Sequence, residues 1–136
     1  MRISRVGQVV LIGTVLAAAG GVMVSYAAPL GPVIVGTAKA PISVTAGDYD
    51  LISQVIDLPP GAMIPKHYHP GPAVVQVLTG TLTLTDATGP KVIKAPAMFN
   101  ENVGNVHWGA NKGSVPVRVA VSYLVPRGKD AIVFVK

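Results

Sequence analysis

The chain has 136 residues, of which 50% are hydrophobic and only 12% are charged, so it has material for one domain with a sizeable core and is not disordered. Its formal net charge of +5 comes from basic residues that stand singly, without interleaved aromatic residues, which argues against a nucleic-acid-binding surface. Cysteine is absent, so neither a disulfide nor a thiolate ligand is available.

Residues 1–27 have the pattern of a secretory signal peptide. Arg2 and Arg5 precede the apolar stretch VGQVVLIGTVLAAAGGVMVSYAA, which ends in the small-x-small tripeptide SYA. Cleavage after Ala27 fits this pattern best, and cleavage after Ala28 is the alternative. We therefore expect export, to the periplasm or as a secreted protein.

Two other interpretations of the same stretch stay open. Residues 6–24 form an apolar run of 19 residues, just long enough to cross a bilayer as an uncleaved anchor. An ordinary buried helix is the third interpretation. A contact with the membrane is expected only if the segment is not cleaved.

Residues 28–47 are rich in proline, glycine and small residues and predict a linker or an N-terminal arm. Residues 48–136 predict a β-barrel domain, because short β-branched stretches are separated by turn sequences such as PPG, TGP and NKG. The stretches are YDLISQVIDL, AVVQVLTG, TLTLTD, KVIKAP, VPVRVAVSYLV and AIVFVK. The fold class that follows is all-β, a sandwich or barrel after an N-terminal signal or anchor helix.

The three histidines of the chain stand in two places. His67 and His69 are one residue apart, so on a strand their side chains project from the same face, about 7 Å apart along it, while Tyr68 projects from the other. Two such imidazoles converge on one ion only if the strand curves. His107 is the remaining histidine and would supply a third ligand from a neighbouring strand.

Two motifs surround these histidines. A glycine, five residues, H-x-H and a later glycine are present as Gly61, His67, His69 and Gly80. A glycine, two residues, a histidine, three residues and an asparagine are present as Gly104, His107 and Asn111. In this order the chain resembles the cupins over roughly residues 50–125. The resemblance implies a small double-stranded β-helix of jelly-roll type, with a metal inside its mouth and a small-molecule ligand or substrate.

The chain departs from the cupin pattern at two positions. The family's glutamate ligand, four residues after the second histidine, is replaced here by Ala73, and a proline of the second motif is replaced by Asn102. Glu101 is the sole glutamate of the chain and lies on the predicted strand before His107. It is the candidate replacement ligand, and the alternative is a solvated loop carboxylate.

The donor set restricts the metal only loosely. Three neutral imidazoles suit zinc, copper, nickel or iron, and a carboxylate improves the fit to manganese or iron. The expected cofactor is therefore a divalent transition metal. Three protein ligands leave positions free, which is typical of catalytic sites. By strand alternation we expect an apolar pocket lined by Ala73, Val75, Val77 and Phe99, whereas Asn111 is expected to shape a turn.

Two functional hypotheses follow. One is a metal-dependent dioxygenase-type oxidoreductase acting on a small molecule. The other is a non-catalytic module, either a barrel that holds a metal or small ligand without turnover or a structural barrel. No serine, histidine and acid have the spacing of a hydrolase triad, and no glycine-rich phosphate loop is present. The tail AIVFVK predicts an edge strand through which a homodimer could form.

Overall fold

The computed structural model describes residue 34 and residues 36–136. The predicted signal or anchor segment, residues 1–27, and the first part of the predicted linker lie outside this part of the chain, so export and anchoring stay predictions. Across the residues that are described, no helix is long and apolar enough to cross a membrane.

Nine strands make up the described part of the chain. They are β1 (Tyr49–Leu58), β2 (Met63–Tyr68), β3 (Ala73–Thr79), β4 (Thr81–Asp86), β5 (Gly89–Lys94), β6 (Met98–Glu101), β7 (His107–Ala110), β8 (Val117–Pro126) and β9 (Val133–Phe134). Four form a sheet in the order β1-β8-β3-β6, and five form a second sheet in the order β5-β4-β7-β2-β9. All the strand pairs are antiparallel.

The core is built by alternate residues of the central strands. In β8 every second side chain is buried, from Val117 to Val125, and in β3 the same alternation buries Ala73, Val75 and Val77. Each fully buried valine contributes about 1.5–3 kcal/mol relative to an exposed one. The predicted all-β, double-stranded β-helix fold is confirmed, because two antiparallel sheets enclose this core. The alternation gives the four-stranded sheet its apolar inner face.

Two glycines are required by close backbone approaches. A Cβ on Gly71, in the connection from β2 to β3, would lie 1.8 Å from the carbonyl oxygen of Leu124. Gly80 closes the first motif with a φ of +77°, and a Cβ there would lie 2.7 Å from the carbonyl oxygen of Pro116. No side chain fits at either position without movement of the backbone, so these glycines fix how the sheets connect.

The predicted turn role of Asn111 is confirmed. Its Nδ2 donates to the carbonyl oxygens of Leu58 (2.9 Å) and Val115 (2.8 Å), and its Oδ1 accepts from the backbone N–H of Gly113 (3.0 Å). The side chain is 1% exposed. Asn111 thus satisfies buried backbone groups between β7 and β8, which is the role of a residue that shapes a turn.

The C-terminal tail pairs within its own chain. Val133 and Phe134 lie opposite Tyr68 and His67 of β2, and the N–H of Val135 donates to the carbonyl oxygen of Lys66 over 2.9 Å. This places β9 at the edge of the five-stranded sheet. One side of the tail is therefore already used, and the homodimer stays a prediction.

Candidate metal centre

The fold brings the three predicted histidines together. His67 lies in β2, His69 directly follows it, and His107 begins β7, the neighbouring strand, where it is paired with His67. The three side chains are 4%, 1% and 2% exposed. One ring nitrogen of each lies within 4.8 Å of the other two, so this group could hold a metal ion.

Each histidine ring is oriented by a backbone carbonyl. Nδ1 of His67 bonds to the oxygen of Pro65 (2.7 Å), Nδ1 of His107 to that of Asn105 (2.8 Å), and Nδ1 of His69 to that of Ala131 (2.6 Å). A carbonyl oxygen only accepts, so Nδ1 carries the hydrogen in all three rings and Nε2 presents its lone pair to the centre. Metal-binding histidines commonly have this arrangement.

The turn before His107 is hydrogen-bonded to the backbone of His69. Gly104 has a φ of +73°, and its N–H donates to the carbonyl oxygen of His69 over 2.9 Å. The second motif's glycine thus ties the approach to β7 directly to the end of β2. The histidines of the two motifs are positioned together because of this contact.

Glu101 reaches the histidines from the opposite sheet. It ends β6, is 9% exposed, and its carboxylate oxygens lie 3.0 Å from Nε2 of His69 and 3.2 Å from Nε2 of His107. The strand register places it directly beside Ala73, the position at which the cupin motif carries its own glutamate. The carboxylate therefore arrives beside the histidines from the adjacent strand.

The contacts of Glu101 with the two histidines are as short as hydrogen bonds, but neither side supplies a donor hydrogen. Nε2 of His69 and Nε2 of His107 are buried and have no hydrogen-bond partner among the described residues. With the hydrogens on Nδ1, these nitrogens and the carboxylate face one another as lone pairs. Such an arrangement is unfavourable unless a cation or a proton lies between them, so the donor set fits a bound metal.

Charges within the centre shift the pKa values in opposite directions. Burial alone would raise the pKa of Glu101, but His107 and His69 outweigh it and lower that pKa to about 2. Burial would lower the pKa of His107, but the Glu101 carboxylate outweighs it and raises that pKa above the ordinary 6.5. Without a metal, a proton at His107 is the alternative partner of the carboxylate.

His67 has the opposite behaviour. Burial lowers its pKa below 6.5, and the hydrogen bond to Pro65 offsets this only in part, while His107 and His69 lower it further. The ring therefore stays neutral around neutral pH. A neutral imidazole is the form that binds a metal.

A small apolar cavity of about 30 Å³ adjoins the histidines. Its walls come from both sheets, and its members besides the histidines and Glu101 include Val75, Val119, Val121, Leu82, Leu84 and Tyr123. Tyr123 is 2% exposed, and its ring centre lies 5.0 Å from that of His69. Burial and the nearby Glu101 raise the pKa of Tyr123 to about 12, so its hydroxyl keeps its proton.

Of the four residues expected to line the pocket, Val75 lines this cavity and the other three do not. Ala73 is buried between Tyr123 and Glu101 in the register, and its methyl group is short beside those two side chains. Val77 is fully buried in the core, and Phe99 is a partly buried residue that packs against that core. Tyr123 is not one of the four residues expected to line the pocket, although the alternation in VRVAVSY places it on the same face of β8 as Val119.

Comparison with known proteins agrees with this architecture. The sequence pattern of the cupin domain matches residues 54–124, more than half of the chain. The chain belongs to the cupin family. A comparison with curated protein sequences gives no match.

Solved cupin structures resemble the chain at low sequence identity. An uncharacterized conserved protein with a double-stranded β-helix domain from Klebsiella pneumoniae is 26% identical, with a TM-score of 0.55 over 64% of this chain and 76% of that one. An oxalate oxidase in complex with the substrate analogue glycolate is 24% identical, with a TM-score of 0.55 over 62% of this chain. This chain covers only 46% of that oxidase, so the likeness establishes the fold alone.

A predicted oxalate decarboxylase from Thermotoga maritima is 23% identical, with a TM-score of 0.51 over 54% of this chain and 65% of that one. Neighbours of different activity thus share this barrel. The fold therefore does not choose a reaction, and any activity has to be argued from the site itself.

Proposed function

We propose that His67, His69, His107 and Glu101 together bind one divalent transition metal, and that the protein uses it on a small molecule in an oxygen-dependent reaction. The observation that carries the proposal is the pair of buried, unpartnered Nε2 atoms that face a carboxylate at 3.0 and 3.2 Å. A cation among these atoms would satisfy all four side chains at once.

The fourth ligand in this proposal is Glu101. Its position beside Ala73 supports it, because a carboxylate on either of two directly paired strand residues reaches a similar place. Ala73 has only a methyl group and so leaves room beside it for the Glu101 side chain. Three imidazoles and one carboxylate suit iron and manganese best among iron, manganese, zinc, nickel and copper.

The bound metal would supply Lewis acidity and, for iron, manganese or copper, a change of oxidation state. The chain's own residues would do the rest. The three carbonyl-bound imidazoles fix the ligand positions, and the apolar walls exclude water. Tyr123 keeps its proton and is the side chain of the wall able to donate it in a hydrogen bond to a bound molecule.

The cavity indicates the class of substrate. A volume of about 30 Å³ has room for a few water-sized molecules at most, so a larger substrate needs the wall to move. Among the described residues that line it, none is lysine or arginine. A divalent ion and the Glu101 carboxylate leave one net positive charge. A singly charged anion, such as a monocarboxylate, would neutralise the centre, whereas a dianion such as oxalate would leave a net negative charge in an apolar cavity.

The second candidate is a barrel that holds a metal or a small ligand without turnover. The small cavity favours it, and so does the shortage of bases, since Glu101 would be occupied by the metal and Tyr123 stays protonated. In this case the bound ion would serve to join the two sheets.

Oxygen uptake by the metal-loaded protein separates the candidates. The protein, prepared without a histidine tag, is loaded with each of the five metals and given small monocarboxylates, neutral alcohols or oxalate. Our first proposal predicts uptake with iron or manganese and a monocarboxylate, its loss in Glu101→Gln, and its retention in Tyr68→Phe, which alters the opposite face of β2. Stable metal binding without uptake or product under any condition would favour the second candidate.

A further inference from the structure

The three ligand histidines depend on carbonyl groups of two different kinds. His67 and His107 bond to carbonyls only two residues earlier, in Pro65 and Asn105. His69 instead bonds to Ala131, 62 residues later in the chain. Two ligands are therefore oriented by residues next to them in the sequence, whereas the third is oriented by the C-terminal tail.

The tail also closes the centre. Ile132 lines the small cavity beside the histidines, and the ring of Phe134 lies 6.1 Å from that of His67. Residues 131–135 therefore supply one hydrogen-bond acceptor and one wall of the centre.

Few backbone hydrogen bonds fix the tail to the barrel, while Ala131 and Ile132 pack against its core. Its strand β9 has two residues, and Val135 adds one further backbone hydrogen bond to Lys66. Phe134 is 61% exposed and Val135 is 40% exposed. A short edge strand with exposed side chains opens locally at a lower free energy than central strands such as β3 and β8 do.

We propose that residues 131–135 have two roles at the metal centre. They position His69 with its hydrogen on Nδ1, and they act as a gate that controls the passage of the ion and of small molecules. The proposal rests on the proposed metal site. When the tail detaches, His69 loses its only carbonyl acceptor among the described residues, and the cavity loses Ile132. The coupling is reciprocal, so a bound metal also holds the tail in place.

Two readouts test this proposal in the whole protein. The first is the position of the hydrogen on each neutral histidine ring, read from ¹⁵N-resolved NMR spectra in mildly alkaline buffer without metal. The second is the rate at which the loaded metal, manganese or zinc, is lost to a chelator. His67 and His107 are internal references for the first readout, because their carbonyl partners do not belong to the tail.

The variants are a chain that ends at Asp130 and the matched pair Val135→Pro and Val135→Ala. Proline removes the N–H that donates to Lys66, whereas alanine keeps it. In the shortened chain we expect His69 alone to shift towards the form with hydrogen on Nε2, and metal loss about 10- to 100-fold faster, as is usual when an outer hydrogen-bond partner is removed. Val135→Pro should change in the same direction, and Val135→Ala should match the natural chain.

An unchanged His69 form with metal loss within about twofold of the natural rate, in both the shortened chain and Val135→Pro, would overturn the proposal. If the shortened chain loses the native signals of all three histidines, the comparison of Val135→Pro with Val135→Ala decides the proposal. The readouts are again the hydrogen position on His69 and the rate of metal loss. A natural chain that binds no metal would refute the proposed function and the gate. The His69 readout would still decide separately whether the tail positions that ring.

Discussion

The two sheets contribute to the candidate centre in different ways. The five-stranded sheet supplies three histidines, each fixed by a backbone carbonyl. The four-stranded sheet supplies Glu101 from its edge strand β6. Within the described residues, the side-chain atoms at hydrogen-bond distance from that carboxylate are Nε2 of His69 and Nε2 of His107. The histidines are thus arranged in advance, whereas the carboxylate is held by whatever lies between it and them. A bound metal would join the two sheets.

The largest expected effect comes from breaking the connection between the sheets. Gly71→Ala places a methyl group against the carbonyl oxygen of Leu124, where a Cβ would be 1.8 Å away. We expect the free energy of unfolding to fall by about 3 kcal/mol or more, measured by denaturant unfolding. Gly36→Ala is the matched control, because its Cβ meets Met98 at an ordinary 3.7 Å. Equal stabilities of the two variants would show that Gly71 does not fix the connection.

Moving the carboxylate between strands tests the role of Glu101. Glu101→Ala should weaken metal binding by more than the roughly 10- to 100-fold that loss of an outer partner costs, as measured by competition with a chelator. Because Ala73 is paired directly with residue 101, Ala73→Glu in the same chain should restore part of the affinity.

Glu101→Ala with Ala73→Gln is the control for that exchange, since glutamine fills similar space without the charge. If the glutamine variant recovers affinity as well as the glutamate variant does, packing and not ligation explains the effect. If Glu101→Ala alone binds as the natural chain does, Glu101 is not a ligand.

The pH dependence distinguishes the centre with and without metal. Without metal, the Glu101 carboxylate raises the pKa of His107 above its ordinary value. The protonated ring therefore stabilises the folded state. This stabilisation is fully present below pH 6.5 and is lost as the pH rises through the raised pKa. Metal binding needs the neutral ring and has the opposite dependence. Below the raised pKa of His107, the affinity for the metal should fall about tenfold for each unit by which the pH is lowered, because one proton competes with the metal for the ring.

Calorimetric titrations in buffers of different ionisation enthalpy measure that proton directly. We expect metal binding near neutral pH to release more protons from the natural chain than from Glu101→Gln, in which the pKa of His107 is no longer raised by the carboxylate. Equal release from both proteins would contradict the coupling between His107 and Glu101.

The smallest expected effect lies on the outer face of the histidine sheet. Nζ of Lys66 lies 5.1 Å from the ring centre of Trp108, the residue after His107. Lys66→Met should lower the free energy of unfolding by about 0.5–1 kcal/mol, the usual value of an exposed cation–π contact. Metal content should not change. A variant that lost its metal would show that the two faces of this sheet are coupled.

The sequence alone was sufficient for the fold and for the histidine set. Alternating apolar residues and turn sequences predict the strands, and the H-x-H pair with His107 predicts the cluster. The assembly of the strands into a double-stranded β-helix is implied by the resemblance of the two motifs to those of the cupins. The pairing of Ala73 with Glu101 was not predictable, because strand register depends on how the sheets fold together.

The contact between Ala131 and His69 was still less accessible to sequence reasoning. It uses a backbone carbonyl, which every residue has, and it joins positions 62 residues apart. The expected pocket lining at Val77 and Phe99 followed from alternation along single strands, which gives the face of a residue but not its depth in the barrel.

The metal content of the protein, prepared without a histidine tag and measured by elemental analysis beside His67→Ala and His107→Ala, tests the account most directly. We predict close to one divalent transition metal ion per chain in the natural sequence and nearly none in either variant. A folded natural chain that carries no metal and takes up none of the five candidates on incubation would contradict the account, and the buried histidines would then be a barrel lining that a proton satisfies.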